Sequence, residues 1–142
     1  MTLEQRIREW LQENGTPVST VHAPGATFAL SFKLPRGFQV VVQQPGGRHD
    51  FVVVSCVVNI DPQHREKLES RADEFVWNIR HDLLNTGVAF EIEPPGYPLP
   101  SSVELLSELY EDGLNKNLFM RRVSDVSNAA SLLMLTIEKY LK

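Results

Sequence analysis

Cys56 is the only cysteine of the chain, and it is the first residue that could do chemistry, because a thiolate can act as a nucleophile or a metal ligand. It lies in an apolar run beside Val54 and Val58. Burial in such a run raises the pKa of a thiol and hides the sulfur. The sequence therefore favours a packing role for Cys56. No serine lies in the Gly-x-Ser-x-Gly pattern that exposes a nucleophilic hydroxyl.

Four histidines are the next candidates, as general bases or metal ligands. They form neither a His-x-x-x-His nor a His-Glu-x-x-His pattern. His64 and His81 share a predicted helix, but their side chains are rotated by about 260° from one another around its axis. His49 lies in a predicted turn, and His22 could act only if the fold brings a carboxylate to it. We expect neither a bound metal nor a cofactor.

Two pairs of carboxylates could act as general acid and base. Glu91 and Glu93 lie on one face of a predicted strand, and Glu104 and Glu108 lie on one face of the next. Acids opposite an apolar strand face are typical of the solvated side, where charge also protects an edge strand from pairing. We expect no catalytic residue among them.

The composition bounds the fold and the partners. The chain has 142 residues, of which 42% are apolar and 23% are charged, as is typical of a single domain that spans residues 1–142. The net charge is -4, and no long basic run occurs. Because nucleic acid binding requires a basic face, we expect no nucleic acid partner.

The sequence also contains no run that approaches the ~18 apolar residues of a membrane span, and residues 1–6 lack the apolar core of a secretory signal. A single cysteine cannot form a disulfide within the chain, which agrees with a reducing compartment. We therefore expect a cytoplasmic protein without a membrane partner.

Hydrophobic periodicity predicts an α+β fold with an antiparallel sheet. Thr2 and Gln5 form a capping-box pattern before an amphipathic helix, which ends at Asn14. A middle helix begins at Asp61 and ends at Gly87. A long last helix, capped by Asn115, follows the final strand. The predicted order is α-β-β-β-β-α-β-β-α, with strands at 18–22, 27–33, 38–43, 51–60, 88–93 and 102–110.

Two segments of this prediction have a less regular pattern. Residues 102–110 fit either a strand or a helix, and we prefer a strand. Residues 94–100 are rich in proline, which predicts a stiff, polyproline-like connection.

Two elements carry more apolar side chains than one buried face requires. The strand at 51–60 is apolar on both faces, which predicts either a layer on each side of the sheet or a second chain. The last helix is apolar nearly all round, which fits a central helix as well as an interface. We predict that it forms a dimer interface, through Val126, Ala130, Leu133, Met134 and Ile137.

The order of elements resembles the type III secretion chaperone-like fold. The run from Trp10, the segment 51–62, and the segment 110–114 before Asn128 also resemble an uncharacterised, mainly prokaryotic family of that architecture, a domain of unknown function. Unlike the chaperones, this chain has four predicted strands before the middle helix. The resemblance implies homodimers that bind an extended protein segment on apolar surface, and it implies no catalytic residue.

The sequence thus predicts a non-enzymatic, chaperone- or adaptor-like domain that binds a protein or peptide as a homodimer. The alternative is a small-ligand-binding protein or an enzyme. Its pocket would lie between the sheet and the last helix and would use His22 or Glu91.

Overall fold

The computed structural model describes residues 1–35, 37–94 and 99–142. Residues 95–98 of the predicted polyproline-like connection therefore lie outside the described residues. The helices are α1 (Leu3–Glu13), α2 (Pro62–Leu68), α3 (Ala72–Leu84) and α4 (Lys116–Leu141). The strands are β1 (Val18–Thr20), β2 (Ala26–Lys33), β3 (Gln39–Pro45), β4 (Phe51–Asn59), β5 (Ala89–Glu93) and β6 (Ser102–Tyr110). The predicted α+β class and strand number are confirmed.

Helix α1 begins with the predicted capping box. The Gln5 backbone N–H donates to the Thr2 hydroxyl, and the Gln5 side chain accepts a hydrogen bond from the Thr2 backbone. Its apolar stripe, formed by Leu3, Ile7 and Leu11, is buried in the core. The helix ends before Gly15, which adopts a φ of +71°.

The six strands form one antiparallel sheet in the order β1-β2-β3-β4-β6-β5. The first four strands make the predicted meander. Helix α4 lies against β4 and β6, and it covers the sheet face on which Val54 and Leu105 are fully buried. The opposite face carries the half-exposed side chains of Val57 and Tyr110. All helices of the described part thus lie on one side of the sheet.

The middle helix differs from the prediction, because it is two helices rather than one. A 3-10 turn at Glu69–Arg71 separates α2 from α3, and Arg71 leaves helical geometry, at φ -124° and ψ 25°. Helix α2 buries only Leu68, whereas α3 buries four residues along one stripe. The interruption lets each helix place its own buried residues toward the core.

Helix α4 is continuous over 26 residues, which corresponds to about 39 Å. The Leu118 N–H donates to the Asn115 side chain at 2.9 Å, which confirms the predicted cap. Helix α1 contacts the first turns of α4 through Trp10, whose ring lies 5.7 Å from that of Phe119. Helix α3 contacts its last turns through Phe75 and Tyr140. Helix α4 is therefore the central element of the helical layer.

Candidate functional site

The residues predicted to form a dimer interface lie on the core side of α4. Val126, Ala130, Leu133 and Ile137 are fully buried within the chain, and Met134 is partly buried. The sheet lies below them, while α1 and α3 flank the helix. Four of the five side chains are therefore not available to a second chain. The apolar surplus of α4 is used by its own core, because three other elements pack around it.

The space between the sheet and α4 is filled by the same side chains. A shallow cleft of about 370 Å³ lies instead on the flank of α4, beside the β2–β3 hairpin and the end of α1. No titratable side chain occurs among its described lining residues, which are Asn14, Thr16, Leu34, Pro35, Met120, Val123, Ser124, Ser127 and Asn128. This cleft offers no acid–base pair.

The residues considered for chemistry are kept apart by the fold. Cys56 is buried, and that burial raises the pKa of its thiol. His22 lines a shallow depression with Glu4, but Arg8 Nε lies 3.1 Å from the Glu4 carboxylate. His22 follows β1 and Glu91 lies on β5, at opposite edges of the sheet, about 24 Å apart. Within the ranges given above, no three His, Cys, Asp or Glu side chains cluster as metal ligands would.

The uncovered side of the sheet is named here the open face. On this face, one row of side chains runs across the sheet from strand to strand. Each residue of the row is the register partner of the next. Ser31 and Ser55 in this row are buried, whereas Val41 and Leu106 are partly exposed. The middle of the open face therefore presents partly exposed apolar side chains beside small polar ones. In strand order from β1 to β5 the row comprises Ser19, Ser31, Val41, Ser55, Leu106 and Ala89.

Strand β4 carries apolar side chains on both of its faces, as its composition indicates. It is central, as its apolar character indicates, but the described helices cover only one of its faces. On the open face, Phe51 is shielded by Tyr110, at 5.6 Å between ring centroids, and by the Arg48 guanidinium, at 4.3 Å. Val57 remains half exposed. Neighbouring side chains shield part of this second face, and no further layer of the described chain does so.

The four glutamates considered above all lie on the open face. Glu91 on β5 is the direct register partner of Glu104 on β6, and Glu93 is two residues further along β5. The pKa of Glu104 is raised, first by partial burial and then by the charges of Glu91 and Glu93. Like charges directly opposite one another destabilise a sheet. The sequence indicated that Glu91 and Glu93 share one strand face and that Glu104 and Glu108 share another. Only the register of β5 and β6 shows that the two pairs lie next to each other.

A second exposed apolar surface lies on α3 and was missed by the sequence analysis. Asn78 donates to the Tyr140 hydroxyl, and Asp82 accepts from Thr136, so these residues mark the side toward α4. Away from that side, Trp77 is 64% exposed and Leu84 is 71% exposed. The His81 ring stacks on Trp77 at 5.1 Å. We name Trp77, His81 and Leu84 the α3 strip; their i, i+4, i+7 spacing is the signal that could have shown it.

No described helix is long and apolar enough to cross a lipid bilayer.

The geometry defines a class of protein: an α+β domain with one layer of helices on an antiparallel sheet whose other face is open. The model of a family described as uncharacterized conserved protein (DUF2299) matches residues 3–137. The chain belongs to this family, which confirms the predicted resemblance to a domain of unknown function.

Solved structures share the fold. The crystal structure of an uncharacterized protein from Methanothermobacter thermautotrophicus matches with a TM-score of 0.90 and 24% identity, covering 98% of this chain and 99% of that chain. The crystal structure of YbjN, a putative transcription regulator from E. coli, matches with a TM-score of 0.50 and 13% identity, covering 95% and 89%. Among curated proteins, none matches this chain. At these identities the likeness establishes the fold alone.

Proposed function

We propose that this chain is a non-enzymatic domain that binds a protein or peptide segment and acts as a homodimer, with the α3 strip as its dimer contact. The observation that carries the proposal is the exposure of Trp77 and Leu84 on one face of α3. Tryptophan is the residue type most enriched among interface hot spots. The open face, which α3 leaves free, is the proposed site for the bound segment.

The α3 strip is suited to contact with a second copy of itself. Trp77 and Leu84 lie two helical turns apart, with His81 between them. A two-fold axis that passes near His81 would place Trp77 of one copy against Leu84 of the other. Such an isologous contact uses the same surface twice and pairs a large aromatic side chain with an aliphatic one. This self-complementarity supports a homodimer rather than an open chain of copies.

The free edge of β5 is a less suitable dimer contact. Edge strands pair readily with one another, but β5 carries Glu91 and Glu93 on its open face. Antiparallel pairing of two copies of β5 would place these glutamates opposite like charges. The acids on β5 therefore disfavour the sheet extension that competes with the helix contact.

The charge of the chain also favours a protein ligand over nucleic acid. The name of the YbjN structure describes that protein as a putative transcription regulator. In the present chain, acidic side chains on β5 and β6 are a prominent feature of the open face, and the net charge is -4. A surface of this sign repels phosphates, so regulation by a protein contact fits the present chain better than regulation by contact with DNA.

Sedimentation velocity over a wide concentration range tests the proposed dimer. We expect the wild-type chain to sediment as a dimer and a Trp77→Lys variant to sediment as a monomer, with an unchanged circular dichroism spectrum. Leu135→Lys is the matched control, because Leu135 is 62% exposed on α4, outside the α3 strip. A wild-type monomer at every concentration would overturn the dimer, as would a Trp77→Lys variant that remains dimeric.

A further inference from the structure

The open face combines partly exposed apolar side chains with a concentration of negative charge, and this combination restricts what can bind there. Leu106 is partly exposed on this face, and Glu104 lies two residues along the same strand, about 7 Å away. Val57, which is 50% exposed, is the register partner of Glu104 on β4. An occupant of this face therefore meets apolar side chains and carboxylates at alternate positions.

Protection of the sheet edge explains only part of this charge. Glu91 and Glu93 lie on the edge strand β5, where charged side chains prevent unwanted pairing. Glu104 and Glu108 lie on β6, which is paired on both sides. Their carboxylates have no edge to protect, and Glu104 faces a like charge. The arrangement lowers the stability of the free protein unless a positive charge is supplied.

None of these four carboxylates forms an ion pair within the described part of the chain. No Lys or Arg nitrogen among residues 1–35, 37–94 and 99–142 lies within 4.0 Å of the carboxylates of Glu91, Glu93, Glu104 or Glu108. Arg48, at the Phe51 end of the face, is paired with Asp50 at 3.1 Å. Glu104 is also partly desolvated, which strengthens its attraction for a cation brought by a ligand.

We propose that the open face binds an extended protein segment that presents apolar side chains and Lys or Arg in alternation along one of its sides, so that the apolar side chains pack on Val57 and Leu106 and the cations pair with Glu104 and Glu91. This inference rests on the proposed function and names the class of its ligand. In an extended segment, side chains two residues apart point the same way and lie about 7 Å apart, which matches the separation of Leu106 and Glu104. Anionic lipid and nucleic acid are repelled by the same carboxylates.

Three synthetic peptides test the charge and the apolar requirement separately. The first repeats Leu-Ser-Lys-Ser three times, the second replaces Lys by Glu, and the third replaces Leu by Gly. Each peptide carries a fluorescent label, and its binding is measured by anisotropy at low salt. We expect the Leu–Lys peptide to bind at least tenfold more tightly than either of the others, with an affinity that falls as salt is added.

Protein variants assign the binding to the open face. The double variant Glu91→Gln, Glu104→Gln is expected to weaken binding of the Leu–Lys peptide at least tenfold. The matched control is Glu66→Gln, Glu138→Gln, which makes the same change of net charge at exposed positions on α2 and α4 and is expected to bind normally. Equal weakening by both double variants would overturn the proposal, because binding would then follow net charge alone.

The peptides also distinguish this inference from the proposed function. If the Leu–Glu peptide binds as tightly as the Leu–Lys peptide and Leu106→Asp abolishes both, the open face binds protein segments and only the charge preference fails. If neither peptide binds, the inference fails together with segment binding, while the sedimentation result decides the dimer independently.

Discussion

At the scale of single residues, burial rather than residue type separates core side chains from surface side chains. Leu133 and Leu135 illustrate this on one helix, because they have the same side chain and are 1% and 62% exposed. Periodicity alone did not distinguish a helix surrounded by its own domain from a helix that faces a partner. The predicted interface residues are apolar because α4 has neighbours on three sides.

Alanine substitutions at these two leucines give the first prediction. We expect Leu133→Ala to lower the free energy of unfolding by about 2–5 kcal/mol, because it removes buried methyl groups and leaves a cavity. Leu135→Ala, the matched control, is expected to change it by no more than about 0.5 kcal/mol. Urea unfolding followed by circular dichroism measures both. Equal effects of the two substitutions would contradict the burial of Leu133.

Glu104 gives a prediction with a defined dependence on pH. Its pKa is raised in the folded protein, so the folded state binds the proton more tightly than the unfolded chain. Ionisation of Glu104 therefore costs stability, and this cost appears as the pH rises through the raised pKa. We expect Glu104→Gln to be more stable than wild type at pH 7, by about 0.2–1 kcal/mol, the size of a cross-strand charge effect.

The stabilisation by Glu104→Gln is expected to vanish at about pH 3, which lies below both the ordinary glutamate pKa of the unfolded chain and the raised pKa of the folded protein, so that the wild-type carboxyl is protonated in both states. Urea unfolding at the two pH values measures this difference. Glu138→Gln on the exposed face of α4 serves as the control and is expected to show no such dependence. A gain from Glu104→Gln that is the same at both pH values would show that the charge of Glu104 is not its cause.

At the scale of elements, local signals predicted where α1, α2 and α4 start and where most strands lie. The caps at Thr2, Asp61 and Asn115 are side-chain-to-backbone hydrogen bonds, whose residues lie within three positions of one another. The division of the middle helix depends on which residues reach the core, and this is set by tertiary packing. Sequence patterns therefore give helix starts more readily than helix interruptions.

The cap of α4 gives an element-scale prediction. Asn115→Ala removes the side-chain acceptor of the Leu118 N–H, and we expect it to lower the free energy of unfolding by about 1 kcal/mol. Asn117→Ala is the control, because Asn117 is exposed within the first turn and is not the cap. Chemical denaturation measures both variants. A loss at Asn117 equal to that at Asn115 would show that the cap is not responsible.

At the scale of the whole molecule, the sequence predicted the meander and the class of fold but not the surfaces. The open face depends on strand order, since β6 lies between β4 and β5 and brings Glu104 opposite Glu91. No local pattern encodes that order. The α3 strip was within reach of the sequence, because Trp77 and Leu84 have helical spacing, but they lie off the apolar stripe that marked the core. Surfaces are harder to predict than cores because they follow from the arrangement of elements.

The proposed dimer links the α3 strip to the stability of the whole molecule. If two copies unfold together, mass action raises the melting temperature with protein concentration. Each tenfold increase in protein concentration adds about 1.4 kcal/mol to the free energy of unfolding of the dimer. This corresponds to a rise of about 2 °C in the melting temperature for two chains of this length. We expect this rise for wild type and for Leu135→Lys, measured by differential scanning calorimetry. The Trp77→Lys variant is expected to have a melting temperature that does not depend on protein concentration, because a monomer unfolds without dissociating. A wild-type melting temperature that is equally insensitive to concentration would show that dimer formation and folding are not coupled.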